Sequence, residues 1–309
     1  MEKAVLSIVI GTFNRLDLLR QCLSALIGKV SVKHEIIVVD AGSTDGTLDF
    51  LGNKKGVKLV MNGKKLGQAR SLNQVFNNLQ SQYTCWLSDD NVVREGMLDL
   101  AVSILTQDSE IGMVSLKVKD VRGPYAELSY LGGIWPSGII NCNQGMIPTK
   151  LLLSLGGFDE KFRDYGIDAD LTTKVLLAGY KVVFTKQIAI HHYRDHEASS
   201  WMGTKGRRQR LDAARALYGK KYENLIQSNH GSLYNKTKRQ KSLFLRGVRG
   251  LYGFAGKTGI PLGKWIGLEE RDWQNLIVGR FVSPVDFLIN IHKPYYLVQK
   301  ITDALRKNE

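Results

Sequence analysis

Short apolar runs alternate with amphipathic segments along residues 1–199. The apolar runs are rich in β-branched residues and predict strands at Val5–Ile10, Glu35–Val39, Val57–Met61, Tyr83–Leu87, Met113–Val118, Lys181–Phe184 and Ile188–His191. Apolar residues at helical spacing predict helices at Asp17–Ile27, Thr44–Leu51, Gly67–Leu79, Gly96–Leu105, Thr149–Leu155 and Asp168–Leu177. This alternation predicts an α/β fold with a mixed, mostly parallel sheet and helices on both faces.

Two local features add detail to this pattern: a candidate helix cap and a glycine-rich segment. Ser43 or Thr44 is a candidate N-cap for the second helix, because both side chains can accept a backbone N–H bond. The segment Pro124–Gly145 is rich in glycine and aromatic residues, which predicts a hairpin or loop excursion. Such a loop could cover a pocket, or it could be a surface loop without a function of its own.

Charge divides the chain near residue 200. The whole chain of 309 residues holds 43 Lys and Arg and 29 Asp and Glu, and residues 200–309 hold 21 and 8 of these. Residues 1–199 are therefore nearly neutral, and we predict two units: 1–199 as the main domain and 200–309 as a basic, mostly helical C-terminal extension. Within this extension, Thr204–Tyr222 is predicted to be a basic helix. Farther along, cations are interleaved with bulky apolar residues and aromatics, which is typical of a segment that contacts a membrane surface or an oligomer partner. The aromatics are Trp265, Trp273, Phe281, Phe287, Tyr295 and Tyr296.

The cysteines argue for a reducing compartment. Cys22, Cys85 and Cys142 are far apart, and no Cys-x-x-Cys pair occurs. We interpret them as buried thiols, which suits the cytoplasm. No run of eighteen apolar residues is present, so the sequence predicts no membrane-spanning helix.

Acidic clusters follow two of the predicted strands. Asp40 ends the strand Glu35–Val39 and Asp45 follows it, while Asp89 and Asp90 follow Tyr83–Leu87. The carboxyl ends of parallel strands meet at one edge of a sheet, where open α/β sheets bind ligands. Because crowded carboxylates repel one another, such a cluster indicates a cation or a substrate rich in hydroxyls and phosphate.

Six motifs then occur in a familiar order and spacing. They are VLSIVIGTFNR at Val5–Arg15, EIIVVDAGSTDGT at Glu35–Thr47, NGKKLGQARSLN at Asn62–Asn73, WLSDDN at Trp86–Asn91, GGFDE at Gly156–Glu160 and GIDADLTTKVLLAGY at Gly166–Tyr180. Over residues 5–195 the chain resembles a family 2 glycosyltransferase of the GT-A (Rossmann-like) fold. The resemblance implies an inverting transfer of a sugar from a nucleoside diphosphate sugar to a hydroxyl of a saccharide or a lipid-linked saccharide.

The resemblance also implies roles for residues near the first two strands. Thr12, Phe13 and Asn14 would contact the base, and Asp40 would bond the nucleoside. Asp40 could instead form an Asx-type turn. Asp45 would serve the nucleotide or act as a first-turn helix carboxylate.

The remaining site residues follow from the later motifs. Asp89 would lie near the ribose or the metal, and Asp90 would bind Mg²⁺ or Mn²⁺, although Ser88 replaces the first Asp of the family motif. His192, rather than His191, would complete the metal shell, unless both are surface histidines.

Two further residues are candidates for phosphate binding and for the chemical step. Arg70 could bind the diphosphate or face solvent. Asp168 would be the general base, because a retained carboxylate stands where the family has an acidic pair, or it would cap a helix.

These inferences describe a peripheral enzyme. We expect it on the cytoplasmic face of the cell membrane, held by an anionic membrane surface, acting in cell-envelope polysaccharide or glycan synthesis, with a homo-oligomer as one option. Two alternatives remain: a catalytically inactive saccharide-binding relative, and nucleic-acid binding through the basic third. No recognised nucleic-acid module occurs there, so we expect no nucleic-acid partner.

Overall fold

We describe a computed structural model of the chain. It describes residues 3–122, 126, 129–193, 205–229, 250–251, 253–261 and 292–299. Within these residues the strands are β1 (Leu6–Thr12), β2 (His34–Asp40), β3 (Val57–Met61), β4 (Tyr83–Ser88), β5 (Asn91–Val93), β6 (Ile111–Ser115), β7 (Val118–Asp120), β8 (Ser129–Tyr130), β9 (Gly145–Pro148), β10 (Lys181–Thr185), β11 (Ile190–His192) and β12 (Tyr295–Gln299).

The helices follow the predicted alternation. They are α1 (Leu16–Ser24), α2 (Thr47–Gly52), α3 (Gln68–Phe76), α4 (Met97–Gln107), α5 (Thr149–Ser154), α6 (Ile167–Leu177), α7 (Lys205–Lys221) and α8 (Glu223–Asn229), with a 3-10 turn at Glu160–Phe162. None of the helices in the described ranges combines the length and the apolar character that crossing a bilayer requires.

One large sheet organises the molecule. Its strand order is β12-β10-β6-β9-β4-β1-β2-β3. Strands β3, β2, β1 and β4 are parallel neighbours, and β6 is parallel to β10. Strand β9 is antiparallel to both β4 and β6, and β12 is antiparallel to β10. A mixed, mostly parallel α/β sheet is therefore confirmed.

Helices cover both faces of this sheet. Along the central strands, successive side chains enter two different hydrophobic clusters: Val9 and Trp86 pack with α3 and α6, whereas Ile8 and Cys85 pack with α1 and α4. Strands buried on both faces read as continuous apolar runs, which is why the sequence predicted them well. Cys22, Cys85 and Cys142 are buried free thiols, as predicted.

Several short elements differ from the predictions. The predicted strand Met113–Val118 is split, because β6 ends at Ser115 and β7 belongs to a second sheet of order β5-β11-β7-β8. Strands β5, β9 and β12 were not predicted. The predicted N-cap at Ser43 or Thr44 is wrong, since α2 begins after Gly46, which adopts the left-handed conformation.

The basic C-terminal region contributes a strand to the large sheet. The predicted helix near 204–222 is α7, and β12 pairs with β10. Tyr295 and Tyr296 are buried in this pairing, so they are not available to lipid, contrary to the prediction that grouped them with membrane-facing aromatics. Trp265, Trp273, Phe281 and Phe287 lie outside the described residues, and the division at residue 200 stays a prediction.

Candidate active site

The predicted nucleotide residues lie where β1 and β2 end side by side. Thr12 and Asp40 are partners in the parallel register of these strands. The Asp40 carboxylate is buried and accepts hydrogen bonds from the backbone N–H groups of Gly42 and Ser43, at 2.8 and 2.9 Å, and from the Ser43 hydroxyl at 2.5 Å. The Asx-type turn therefore forms, and it fixes the carboxylate at the sheet edge.

Asn14 connects this turn to the end of β1. Its backbone N–H donates to Ser43 Oγ at 2.9 Å, and its side-chain oxygen accepts from the Thr44 N–H at 2.7 Å. Asn14 has a φ of 51°, a left-handed conformation that asparagine tolerates better than most residues. The two loops thus form one hydrogen-bonded edge.

Asp45 has the contacts of a residue that organises a helix start. Its exposed carboxylate accepts from the Leu16 N–H at 2.9 Å and from both the N–H and the hydroxyl of Thr47. These bonds lower its pKa although its slight burial acts the other way. They match the structural alternative for Asp45, and a role in nucleotide binding stays a prediction.

Asp89 and Asp90 follow β4 and are both buried. Asp89 accepts from Thr12 Oγ1 at 2.9 Å, and Arg15 Nη1 lies 3.2 Å from an oxygen of each carboxylate. Burial and repulsion from Asp90 raise the pKa of Asp89 to about 6, against the opposing effects of Arg15 and Thr12. Two carboxylates at such close quarters favour a cationic ligand.

His192 lies beside Asp90, and His191 does not. His192 Nε2 is 3.3 Å from Asp90 Oδ2, and its Nδ1 is 2.9 Å from Asp120 Oδ1. Burial alone would raise the pKa of Asp90, but the hydrogen bond and the charge of His192, with the charge of Arg15, hold it below its usual range. An imidazole oriented by a second carboxylate is a common arrangement around metal-binding histidines.

The strand pairing explains which histidine points inward. In β11, His192 is opposite Asn91 of β5 and Asp120 of β7, and successive side chains alternate between the faces of a strand. The other histidine, His191, has its pKa lowered by burial and by the cations Arg94 and Lys119. Only His192 is therefore placed next to the acidic pair.

Two donors are thus available for a cation at this edge. Asp90 supplies a carboxylate oxygen and His192 a ring nitrogen, a set that suits Mn²⁺ or Mg²⁺ when phosphate and water complete the shell. No group of three or more His, Cys, Asp or Glu side chains that could hold a metal occurs within the described part of the chain. A cation bound here would therefore need oxygen atoms from phosphate or water to complete its coordination.

Phe13 and Arg70 both lie near residues 64–66, in the segment that follows β3. Lys65 Nζ is 3.6 Å above the centre of the Phe13 ring. Arg70, in α3, is exposed and lines a cleft of about 590 Å³ together with residues 64–66, 160–161 and 163. A guanidinium in an open cleft can reach a diphosphate.

Asp168 lies in the first turn of α6 and does not cap that helix. The N-cap position belongs to Gly166, which has a φ of 84°. The carboxylate accepts a hydrogen bond from the Asn141 side-chain amide, and its removal from water raises its pKa to about 6 although Asn141 acts in the opposite direction. A carboxylate with this pKa is ionised at neutral pH and basic enough to take a proton.

The loop at 141–145 connects Asp168 to the sheet edge. Asn141 also bonds Asn143, whose carbonyl accepts from the Trp86 indole at 3.1 Å in β4. Gly145 then begins β9 and pairs with Trp86 of β4. Trp86 stands two residues before Ser88, the last residue of β4. No hydrogen bond or ion pair joins Asp168 to Asp40, Asp89 or Asp90 among the described residues, so this linkage is indirect.

A family model matches the part of the chain that carries most of these site residues. The model described as Glycosyl transferase family 2 matches residues 7–142, which include the Asp40 loop and the Asp89–Asp90 pair. Residues 7–142 belong to glycosyl transferase family 2. The recognition made from the six motifs is therefore confirmed.

Curated relatives of this part of the chain are described as glycosyltransferases. An uncharacterized glycosyltransferase of Rickettsia typhi is 26% identical over 213 residues, covering 63% of this chain and 65% of its own length. A second, from Haemophilus influenzae, is 23% identical over 145 residues, covering 44% and 45%. The chain thus spans less than two thirds of the length of these relatives.

Solved structures share the fold of the glycosyltransferase domain. A mannosyltransferase from Pyrobaculum calidifontis in complex with GDP-Man and Mn²⁺ has a TM-score of 0.56 at 18% identity, covering 94% of this chain and 88% of its own. S. aureus TarS 1–349 in complex with UDP-GlcNAc has a TM-score of 0.52 at 18% identity, covering 63% and 61%. These similarities confirm the GT-A fold.

Sequence reasoning missed three residues of this site. Arg15 bridges both acidic residues, Asp120 orients His192, and Asn141 bonds Asp168. Arg15 stands within the first motif, so its position was a usable signal. Asp120 ends the three-residue strand β7 and Asn141 lies in a loop, and only the pairing of β7 with β11 and the return of the chain to β9 bring them to the site.

Proposed function

We propose that the chain is an inverting glycosyltransferase that uses a nucleoside diphosphate sugar and transfers the sugar to a hydroxyl of a saccharide or a lipid-linked saccharide. The observation that carries this proposal is the row of contacts along one edge of the sheet, which joins Asp40 to Ser43, Thr12 to Asp89, and Asp90 to His192. Thr12 and Asp40 are partners in the strand register, and Arg15 bridges Asp89 and Asp90. Membership in family 2 and the nucleotide-sugar complexes of structures with the same fold support the proposal.

Each part of the row has a separate task. Asp40, held by Ser43 and Gly42, would bond the nucleoside, and Phe13 would form the wall beside the base. Arg70 would bind the diphosphate as a fork of N–H donors. Because Asp40 and Asn14 are already fixed by backbone groups, they would lose little freedom on binding.

Asp90 and His192 would hold Mg²⁺ or Mn²⁺ together with the diphosphate oxygens. When bound there, the cation supplies charge that offsets the negative charge of the departing diphosphate. Arg15 contacts both Asp89 and Asp90, so it would keep the acidic pair compact before the ligand arrives. A Mn²⁺ complex of a protein with the same fold supports the choice of a divalent cation.

Asp168 would accept the proton of the acceptor hydroxyl. The acceptor oxygen attacks the anomeric carbon while the bond from that carbon to the diphosphate oxygen breaks, which inverts the configuration. Asn141 would hold the carboxylate in one orientation for this step. The raised pKa of about 6 makes Asp168 a better base than an ordinary aspartate and leaves it ionised at neutral pH.

Nucleotide binding and transfer can be tested separately. We expect UDP or GDP with Mn²⁺ to raise the melting temperature, because a ligand that binds only the folded state stabilises it. Asp168→Asn should keep this shift and reduce transfer by about 10²–10⁴-fold, the usual contribution of a general base. Exposed Asp49→Asn, in α2, is the matched control and should retain both properties.

Two results would contradict the proposal. No shift with any nucleoside diphosphate would exclude the donor site. A shift without transfer or donor hydrolysis by the wild-type protein would favour the alternative of a saccharide-binding relative without catalysis.

We further propose that the protein is a cytoplasmic enzyme that contacts an anionic membrane through its basic C-terminal third. Leu251 and Phe254 support this, because they are 59% and 64% exposed and lie three residues apart in a helical segment. Wild-type protein should pellet with anionic vesicles at low salt and less at high salt, since salt screens surface charge. Leu251→Ser with Phe254→Ser should weaken pelleting, and absence of pelleting by the wild type at low salt would end this proposal.

A further inference from the structure

The cleft that contains Arg70 is strongly cationic. It has a volume of about 590 Å³ and is lined by Lys64, Lys65, Leu66, Arg70, Glu160, Lys161 and Arg163. Five cationic side chains therefore face one carboxylate. Like charges at this density repel unless an anion joins them.

Two separate chain segments are fixed together to form this cleft. The Gln68 N–H donates to Asp164 Oδ1 at 2.8 Å, and the Ala69 N–H donates to the Arg163 carbonyl at 2.8 Å. Gly67 has a φ of 92°, and a Cβ there would lie 2.6 Å from Arg163 Cγ. Residues 67–69 and 163–164 therefore lie at a fixed separation, and a side chain larger than that of glycine at position 67 would prevent this close approach.

Most of the cations in the cleft are available to a ligand. Lys64, Lys65, Arg70 and Lys161 are exposed, and none of them pairs with a carboxylate among the residues that the structure describes. Arg163 Nε lies 3.3 Å from Asp164 Oδ2, so this carboxylate partly neutralises the charge of Arg163. The cleft therefore presents more positive than negative charge.

The cations lie on two sides of the cleft with different neighbours. Lys65 contacts the Phe13 ring, and Lys64 follows the Gly63 carbonyl against which Gly42 packs. This side adjoins the proposed nucleotide site. Lys161 and Arg163 belong instead to the segment that leads into α6, where Asp168 follows Arg163 by five residues. That side leads along the chain into the helix that carries the proposed base.

We propose that the acceptor carries a phosphate group, which binds in this cleft between the donor diphosphate and Asp168. This inference rests on the proposed function and deepens it by naming the chemistry of the acceptor. The donor diphosphate can be matched by one divalent cation and Arg70, so the lysines would remain without a partner if the donor were the only anion. A second phosphate beside the acceptor hydroxyl accounts for them.

Binding of sn-glycerol 3-phosphate tests this inference. The full chain is first saturated with Mn²⁺ and the nucleoside diphosphate that raises its melting temperature, and the phosphate ester is then titrated, with glycerol as the neutral control. We expect binding of the ester alone. Lys64→Gln with Lys161→Gln should weaken it about fivefold, the effect of losing two exposed charge contacts.

Lys29→Gln with Lys55→Gln is the matched control. Both lysines are exposed and lie outside the cleft, so this variant loses the same charge and should bind the ester as the wild type does. An equal loss in both double variants would overturn the inference, because the effect would then reflect net charge and not the cleft.

Two other results would also overturn it. Ester binding that disappears when nucleotide saturates the protein would show that the cleft serves the donor diphosphate alone. Nucleotide binding with no ester binding would reject the acceptor site and leave the proposed function standing. If no nucleotide binds at all, the proposed function fails and this inference fails with it.

The same variants distinguish two carriers of the phosphate. Pelleting with vesicles that contain phosphatidic acid, if reduced in the Lys64 and Lys161 variant but not in the control, assigns the cleft to a lipid-linked phosphate. Unchanged pelleting combined with weaker ester binding assigns it to a soluble phosphosaccharide. Either result supports a phosphate-bearing acceptor.

Discussion

Asn141 tunes the most important carboxylate of the proposed mechanism. Its amide donates a hydrogen bond to Asp168. Burial raises the pKa of this carboxylate to about 6, although the bond from Asn141 acts to lower it. Without this donor, only the backbone hydrogen bonds of Asp168 and Ala169 act against the effect of burial, so the pKa of Asp168 rises. A residue in a loop, Asn141, therefore influences the pKa of the proposed base in α6.

We predict that Asn141→Ala moves the acidic limb of the pH–activity profile to higher pH. Transfer by the wild type should fall as the pH decreases through about 6, since Asp168 becomes protonated and can no longer accept a proton. In the variant the pKa of Asp168 is higher, so activity should fall earlier on acidification. The measurement is kcat/KM as a function of pH with saturating metal.

The exposed Asn53→Ala, at the C-terminal end of α2, serves as the control for Asn141→Ala and should leave the limb in place. A lower activity of Asn141→Ala at every pH, with no displacement of the limb, would mean that the amide only supports the loop.

For single residues, the sequence indicated which side chains belong to the site better than it indicated which of them are in contact. Asp40, Asp89 and Asp90 end apolar runs, so their approach followed from the geometry of parallel strands. The position of His192 beside Asp90 agreed with simple strand alternation. Asp120 could not be found in this way, because it reaches His192 through a three-residue strand in a second sheet.

Among the elements, α7 fixes a hairpin at residues 133–141, which is closed by the antiparallel bridge between Ile134 and Ile140 and ends at Asn141. The buried Tyr218 hydroxyl lies 2.6 Å from both Ser137 in the hairpin and Thr173 in α6, and its ring packs on Trp135 with the ring centres 5.1 Å apart. Lys221 adds contacts of 2.7 and 2.6 Å to Asp159 and Asp170. The basic helix thereby stabilises the surroundings of the proposed base.

We predict that Tyr218→Phe destabilises the protein by about 1–3 kcal/mol, because the hydroxyls of Ser137 and Thr173 lose a buried partner. Urea unfolding measures this change. Transfer should fall as well, since the hairpin that carries Asn141 becomes less ordered, while nucleotide binding should be retained.

Tyr165→Phe is the matched control, since its hydroxyl makes no hydrogen bond in the part of the chain that the structure describes. Equal stabilities for the two variants would contradict the role assigned to the Tyr218 hydroxyl.

Elements were predictable where a clear local pattern of apolar residues stands between glycine-containing turns. Strand β3 has the predicted bounds, and α6 begins one residue before its prediction. Strand β9 was missed because it has only four residues, ends in proline and follows a glycine-rich loop. Its antiparallel direction is set by the tertiary fold and has no local sequence signal.

For the whole molecule, the distribution of charge did not reveal where the sheet ends. The last third is basic, yet β12 from this region pairs with β10 and buries Tyr295 and Tyr296. Composition reports the average of a region, whereas sheet membership depends on a few residues. A strand of five residues inside a cationic region therefore escaped prediction.

We predict that a chain shortened to residues 1–291 has a lower melting temperature and aggregates more readily than the full chain. Removal of β12 exposes the edge of β10, and an unpaired edge strand can pair with another molecule. Thermal unfolding and light scattering measure the two effects.

A chain shortened only to residues 1–299 keeps β12 and controls for loss of the terminal residues. It should melt close to the full chain. Equal melting temperatures for the two shortened chains would show that β12 contributes little.

The distance along the chain between β10 and its partner β12 has a consequence for synthesis. Thr185 pairs with Tyr295, so more than one hundred residues must leave the ribosome after β10 before the outer strand exists. At about 5–20 residues per second, this interval lasts on the order of 5–20 s. During translation the nascent chain therefore passes through a period in which its central strands can form while β10 is uncovered, and this is the stage at which we expect a chaperone to engage it.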